Sequence, residues 1–385
     1  MIPTRKLFYL GLEPLASRYT AQLSNEWFPS SVKLASPHTK FVPIPGKEVD
    51  TEIGTGTVLD ATGRGVFACS QIADLLLRIR TGELSNDDAI FLQDFWTPGF
   101  EAVLYALHLH DLKPRIYSTV WAQSVDEYDF TWGMRSWMRP IELGLANAHT
   151  AIFVASTIHR DQLRAAGFTC PIHVVGLTID VKAVKDMMPE LKPLSERRKN
   201  VVYSSRIDYE KNPIFMCETA NRFLAEHKDW TWTVTTSGKT LRSNVHAHET
   251  TLRGLAATNS RFIIREGLTK REYYNELATS RIQFNCALQD YVSWTLLEAL
   301  AAGCAVAYPD FRSFPECVPS LCRYAAFSVN SALQLLGDAA TCDSRWNEYD
   351  LDATLLRCDM GRRIQARIAC NVYSNRETNV WHLPI

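Results

Sequence analysis

Apolar and polar positions fall into a repeating order along this chain. A short, wholly apolar run meets a polar turn, and the turn opens a stretch with apolar residues three and four apart. Lys6–Leu10 reads as a strand that ends at Gly11, and Ser17–Trp27 as a helix. Ala68–Arg80 places Ile72, Leu75, Leu76 and Ile79 at helical spacing. Ala89–Leu92, Arg115–Val120 and Thr150–Val154 read as buried strands, and Ser156 as the cap of a helix through Leu163. Residues 180–200 break the order with a run rich in Lys, Glu and Pro that ends Glu-Arg-Arg-Lys-Asn. It then restarts with strands at 200–204, 230–236, 261–265, 281–286 and 305–308, and helices at 213–226, 269–279 and 294–302. Thr269 and Glu272 have capping-box spacing. Strands alternating with helices predict an α/β architecture of parallel sheets covered on both faces.

Two such series imply two doubly wound domains. The expected boundaries are 1–178, a linker at 179–199, a second domain at 200–360 and a helical C-terminal segment at 361–385 that returns towards the first. Ligands of doubly wound sheets bind beyond the carboxyl ends of the strands. Gly11, Asp94, Gln123, Arg206, Gly238, Gly267 and Asp290 all follow strands in this reading.

Composition narrows the function classes. The chain has 385 residues, 46% of them apolar, and a net charge of −1. It holds enough apolar material for two cores and carries no basic tract of the kind that coats nucleic acid. Its ten cysteines show no CxxC pair and no zinc spacing, so they are expected to be reduced, buried thiols. The N-terminal apolar run is short for a signal peptide, and no run reaches the roughly 18 residues of a membrane span. A cytoplasmic protein with no membrane partner is expected. The histidines show no metal spacing, and no convincing Asp-x-Asp pair appears, so chemistry without a metal or resident cofactor is expected. Thr51–Gly56 is a weak glycine signal that reads as a loop.

The densest chemistry lies at Asp290-Tyr-Val-Ser-Trp-Thr-Leu-Leu-Glu298, which runs on into an apolar helix. N–H groups at a helix start lack intrahelical partners and carry the positive end of the dipole, so they suit a diphosphate. Asp290 and Glu298 then suit the hydroxyls of a sugar and a ribose. Ser205-Arg206-Ile-Asp-Tyr-Glu-Lys211-Asn-Pro adds two cations after a strand. A planar guanidinium binds phosphate oxygens bidentately, and an ammonium adds a point charge. Each residue also has a plain structural role open to it. Arg206 suits a surface pair with Asp208 or Glu210, Glu298 a place at a helix N-terminus, and Asp290 a loop cap.

On these residues the chain resembles the retaining, GT4-like glycosyltransferases of GT-B fold. The resemblance implies two Rossmann-like domains facing an inter-domain cleft and a UDP-sugar donor. It implies that Arg206 and Lys211 hold the donor diphosphate, that Asp290 approaches the transferred sugar and that Glu298 binds the ribose. Val292, Ser293, Trp294 and Thr295 would offer backbone N–H groups to the distal phosphate, with Gly238 and Gly267 also on the donor side. Asp290, Arg206 and Lys211 are the catalytic set. The family's first carboxylate is Glu where this chain has Asp290. Its loop glycines are replaced by Tyr291 and Ser293, and its customary histidine falls near Trp121 or Gln123. The opening Leu-Phe-Tyr-Leu-Gly-Leu-Glu-Pro-Leu, with Phe91–Glu101 and Trp121–Phe130, is similar to bacteriophage-encoded glycosyltransferases that place glucose or arabinose on hydroxymethylated pyrimidines. That similarity implies an acceptor such as hydroxymethylcytosine in double-stranded phage DNA. Asp94, Gln123 and Asp126, with Tyr19, Trp96 and Trp121 for stacking, are the acceptor-side candidates. A glycosyltransferase acting on a lipid, glycan or small metabolite, and a binding protein without turnover, stay open at this point.

Overall fold

A computed structural model describes residues 5–13, 19–49, 61–121, 123–236, 240–241, 243–341, 352–372 and 377–383. Thr51–Gly56 and Gly238 lie outside the described residues. The described chain divides into two compact units, residues 5–179 with 357–383, and residues 180–356.

The first unit is built on six parallel strands: β1 Lys6–Leu10, β2 Lys40–Ile44, β3 Ala89–Leu92, β4 Arg115–Thr119, β5 Ala151–Val154 and β6 Ile172–Val174. Their order in the sheet is β2-β1-β3-β4-β5-β6. Strands β3 and β5 are buried at every residue, the mark of a sheet covered on both faces. The second unit has β7 Arg198–Tyr203, β8 Thr231–Thr235, β9 Phe262–Arg265, β10 Ser280–Phe284, β11 Ala305–Asp310 and β12 Arg323–Ala325, ordered β12-β11-β10-β7-β8-β9. All recorded pairings in both sheets are parallel.

The two orders matter for function. In the second unit the chain steps outward through β8 and β9, returns to lay β10 against β7, then steps outward the other way. The switch point is the β7/β10 pair, and loops beyond its carboxyl end form the crevice of a doubly wound sheet. The first unit switches between β1 and β3 in the same manner.

Several elements extend beyond the sequence reading. The helix expected at 17–27 runs as Tyr19–Gln22, a π turn at Leu23–Trp27 and a helix at Phe28–Ala35. That expected at 68–80 begins at Ala61. The expected linker holds a helix, Val181–Asp186, capped by Asp180, and β7 starts inside it at Arg198. The helix Asp352–Ala369 carries residues that join the first unit. There Arg362 donates to Trp27 O and Ser31 Oγ, at 3.2 and 2.6 Å, and Gln365 donates to Thr119 Oγ1 at 2.8 Å. Every described cysteine is a free thiol, and all but Cys69 are buried. No helix among the described residues is long and apolar enough to cross a membrane.

Candidate functional site

The strongest cluster stands at the β7/β10 switch point. β7 ends at Tyr203, whose buried hydroxyl donates to the carbonyls of Arg206 and Lys211, at 3.2 and 3.0 Å, and so shapes the loop that carries them. Asn212 then adopts a left-handed conformation, φ 52°, and Pro213 opens the next helix. Asn tolerates that conformation, and Pro suits the first helical position because its missing N–H would have no partner there. The Lys-Asn-Pro sequence therefore stops the loop where it does.

The loop after β10 is tied to it. Leu288 N–H donates to Glu210 O at 2.7 Å, and Lys211 Nζ donates to Gln289 O at 2.6 Å. Lys211 also pairs with Asp290 at 3.1 Å, and Ser313 Oγ donates to Asp290 O at 2.6 Å. Burial raises the Asp290 carboxyl above the usual carboxylate range, against the pull of Lys211. Arg206 is half-open to solvent and grips two acids, Asp208 at 3.0 Å and Glu210 at 2.6 Å. Asp208 is buried and also accepts Asn244 N–H at 3.0 Å. Lys211 and Asp290 thus meet directly, and Arg206, on the same loop as Lys211, acts on the Asp290 carboxyl through its charge.

Beyond Asp290, Ser293 stands at the N-cap of the helix Trp294–Ala301. Its hydroxyl is within 2.8 Å of Thr295 Oγ1 rather than bonded to the helix N–H groups. Glu298 does not open this helix. It sits in the second turn, buried, so the dipole role is not its own. Lys270 Nζ and the Tyr274 hydroxyl, at 3.2 Å, donate to Oε1, and the Tyr273 hydroxyl donates to Oε2 at 2.9 Å. Burial, with the neighbouring Glu298 charge, pushes both phenols well above their ordinary range and keeps them as donors. All three come from the helix Lys270–Thr279, which starts at a full capping box of Thr269 and Glu272. Gly267, φ 68°, makes the turn from β9 to that cap. Lys270, Tyr273 and Tyr274 are absent from the sequence reading. Their one signal was a lysine in a first helical turn, where a cation opposes the dipole.

In the first unit the candidates separate. Asp94 follows β3 and accepts Trp96 N–H at 3.1 Å. Arg64 bridges Asp94 and Glu13, at 3.1 and 2.9 Å, and so joins the loops after β1 and β3. Burial raises the Asp94 carboxyl despite that guanidinium. The Trp96 ring meets half-exposed Trp137 edge-on at 6.0 Å. Trp121 turns its N–H inward to Gln93 O at 2.6 Å. Gln123 and Asp126 have no exposed surface. Gln123 meets His159 Nε2 at 2.7 Å, and Asp126 accepts Tyr128 N–H at 3.0 Å, so both fix the loop from within. Tyr19 opens a helix, and its side chain is outside the description. Among the described residues no group of three or more His, Cys, Asp or Glu is placed to hold a metal ion.

Two doubly wound Rossmann-like units in one chain, each a parallel six-stranded sheet with a switch point, give the GT-B class of fold. Solved structures share it along nearly their whole length. A structure described as trehalose-6-phosphate from E. coli bound with UDP-2-fluoro glucose aligns at TM-score 0.65 and 12% identity, over 96% of this chain and 99% of that one. An alpha,alpha-trehalose-phosphate synthase (UDP-forming) from Burkholderia vietnamiensis aligns at TM-score 0.65 and 13% identity, over 96% and 98%. A sucrose-phosphate synthase from Thermosynechococcus elongatus aligns at TM-score 0.64 and 10% identity, over 95% and 94%. At these identities the likeness is one of fold. No protein-family model matches the sequence, and no curated protein is significantly similar to it.

Proposed function

We propose that this chain is a retaining glycosyltransferase that takes its sugar from a UDP-sugar. The observation that carries the reading is the meeting of Arg206, Lys211 and Asp290 at the β7/β10 switch point, beside the start of the helix that bears Glu298. A leaving nucleoside diphosphate gathers negative charge as the sugar–oxygen bond breaks. Arg206 and Lys211 are placed to neutralise it, and the first-turn amides at Trp294 and Thr295 to bind the distal phosphate. Glu298, fixed by three donors, presents its remaining acceptor capacity to ribose hydroxyls. Asp290 faces the transferred sugar and accepts from its hydroxyls. The acceptor hydroxyl attacks the anomeric carbon, the diphosphate departs, and the proton passes to the departing phosphate. No metal is needed in this scheme, because fixed cations and amides do its work. The alignment with a structure bound to UDP-2-fluoro glucose supports the choice of donor.

For the acceptor we propose a 5-hydroxymethylated pyrimidine, hydroxymethylcytosine first, in double-stranded DNA. Support comes from the sequence similarity around Phe91–Glu101 and Trp121–Phe130. The likeness to sucrose-phosphate and trehalose-phosphate synthases favours a second reading, a small sugar-phosphate acceptor. The test is a panel of UDP-sugars with plain, hydroxymethylcytosine and hydroxymethyluracil DNA, and with sugar phosphates, followed by digestion and mass measurement. A hexose or pentose mass on the hydroxymethylated nucleoside is the expected result. Mass on a sugar phosphate alone moves the acceptor to the second reading. No transfer and no UDP release with any member removes the enzyme.

A further inference from the structure

The described side chains of the donor cluster carry more negative than positive charge before any diphosphate arrives. Arg206, Lys211 and Lys270 face Asp208, Glu210, Asp290 and Glu298. Three of these acids have other work. Asp208 holds the Asn244 N–H from a buried position, Asp290 is locked to Lys211, and Glu298 is held by Lys270 and two tyrosines. Glu210 is different. Among the described residues its carboxylate bonds to Arg206 Nη2, at 2.6 Å, and 14% of its side chain reaches solvent. Its backbone carbonyl separately ties down the loop after β10.

We infer that Glu210 is a resident competitor for Arg206: it occupies the guanidinium when the site is empty and opposes the diphosphate when the site is full. The inference rests on the donor reading given above. A guanidinium has five N–H donors, so a phosphate can either displace Glu210 or bind beside it. In both cases the carboxylate's charge acts against the phosphate. Its charge also reaches Asp290, whose carboxyl is raised chiefly by burial and a little by Glu210, while Lys211 and Arg206 lower it. The arrangement has a use. Arg206 stays in its binding orientation without a ligand, and the carboxylate reclaims it as the nucleoside diphosphate leaves. Glu210 is therefore a positioning residue that sets how long product stays.

Glu210→Gln tests this. The amide keeps the shape and the oxygen that accepts from Arg206 but loses the charge. Calorimetric titration should show UDP binding about tenfold tighter than to the unaltered protein, as expected for removal of a partly covered like charge. Uridine, which has no phosphate, should bind the two proteins equally. Glu210→Asp, which keeps the charge, should bind UDP as the unaltered protein does or less tightly. In turnover, Glu210→Gln should show stronger inhibition by UDP. UDP binding that is unchanged or weaker in Glu210→Gln overturns the inference, as does an equal gain for uridine. If the unaltered protein binds no UDP, the donor reading itself fails and this inference falls with it. If it binds UDP and Glu210→Gln gains nothing, only the competitor role is lost.

Discussion

At the scale of residues, the two donor-side groups most open to mutation differ in what they hold up. Arg206 is 43% exposed, though its partners Asp208 and Glu210 expose only 1% and 14% of their side chains. Glu298 is buried with Lys270 and two phenols against it. Arg206→Ala should cost about 1 kcal/mol of stability, because Asp208 keeps the Asn244 N–H and Glu210 keeps its reach to solvent, while lowering transfer about 10²- to 10³-fold. Glu298→Ala should lose activity too, but with about 3 kcal/mol of stability, because a partly buried ammonium and two phenol hydroxyls, that of Tyr274 fully buried, are left without their acceptor. Urea unfolding beside a transfer assay checks the contrast, and equal stability in both variants would refute it. The difference explains what the sequence could reveal. Arg206, Lys211 and Asp290 follow strands whose apolar runs are plain, so their place in the loops, their charges and their spacing marked them together. Lys270, Tyr273 and Tyr274 sit one, three and four residues apart on one helix, and that spacing is also the spacing of an ordinary core face. Gln123 and Asp126 follow a strand as well, yet the loop folds them inward, and a sequence does not tell which way a loop turns.

At the scale of elements, the same logic separates the strands that could be read from those that could not. β3 and β5 are continuous apolar runs and were plain. β2 is an edge strand with Pro43 inside it, and a proline in a short run argues against a strand unless its edge position is known. The helix Arg135–Ala148 holds Pro140 and is equally obscure in one dimension. Close approach of elements is hidden too, and Gly361 shows its cost. A Cβ there would stand 1.7 Å from Val175 O, because the helix Asp352–Ala369 lies directly on the backbone after β6. Gly361→Ala should therefore destabilise by about 3 kcal/mol, since backbone rather than a flexible side chain must yield. Gly254, inside the helix His246–Thr258, has nothing within 4 Å of the same added atom. Gly254→Ala should gain up to about 1 kcal/mol from helix propensity alone. Chemical denaturation of the two variants measures opposite signs if the packing is as described. A matching loss in both would mean that helix geometry, not contact, sets the cost.

At the scale of the whole molecule, ionisation divides the two units. Of the four buried histidines among the described residues, His149, His159 and His173 belong to the first unit and His248 to the second. Burial lowers the pKa values of the first three to about 4, 3 and 4. His173 also accepts the Thr378 N–H at Nδ1, which requires a neutral nitrogen there. The unfolded chain takes up these protons near pH 6.5, well above the folded protein. Below that point the unfolded state binds more protons, so stability is full above about pH 6.5 and falls as the pH drops towards 4. At pH 5 each ring forfeits about 2 kcal/mol. Asp94 and Glu142, whose carboxyls burial raises, act in the opposite direction and return part of the loss in the first unit. Asp290 does the same in the second unit. Acid should therefore loosen the first unit before the second. Amide hydrogen exchange at pH 7 and pH 5, corrected for the intrinsic pH dependence, separates them: protection at Ala89–Leu92 and Ala151–Val154 should fall well ahead of that at Arg198–Tyr203 and Ser280–Phe284. Parallel loss in both sheets would mean that the buried rings are not what acid attacks. Retention of UDP binding at a pH where the first sheet has opened would show further that the nucleotide is held by the second unit alone.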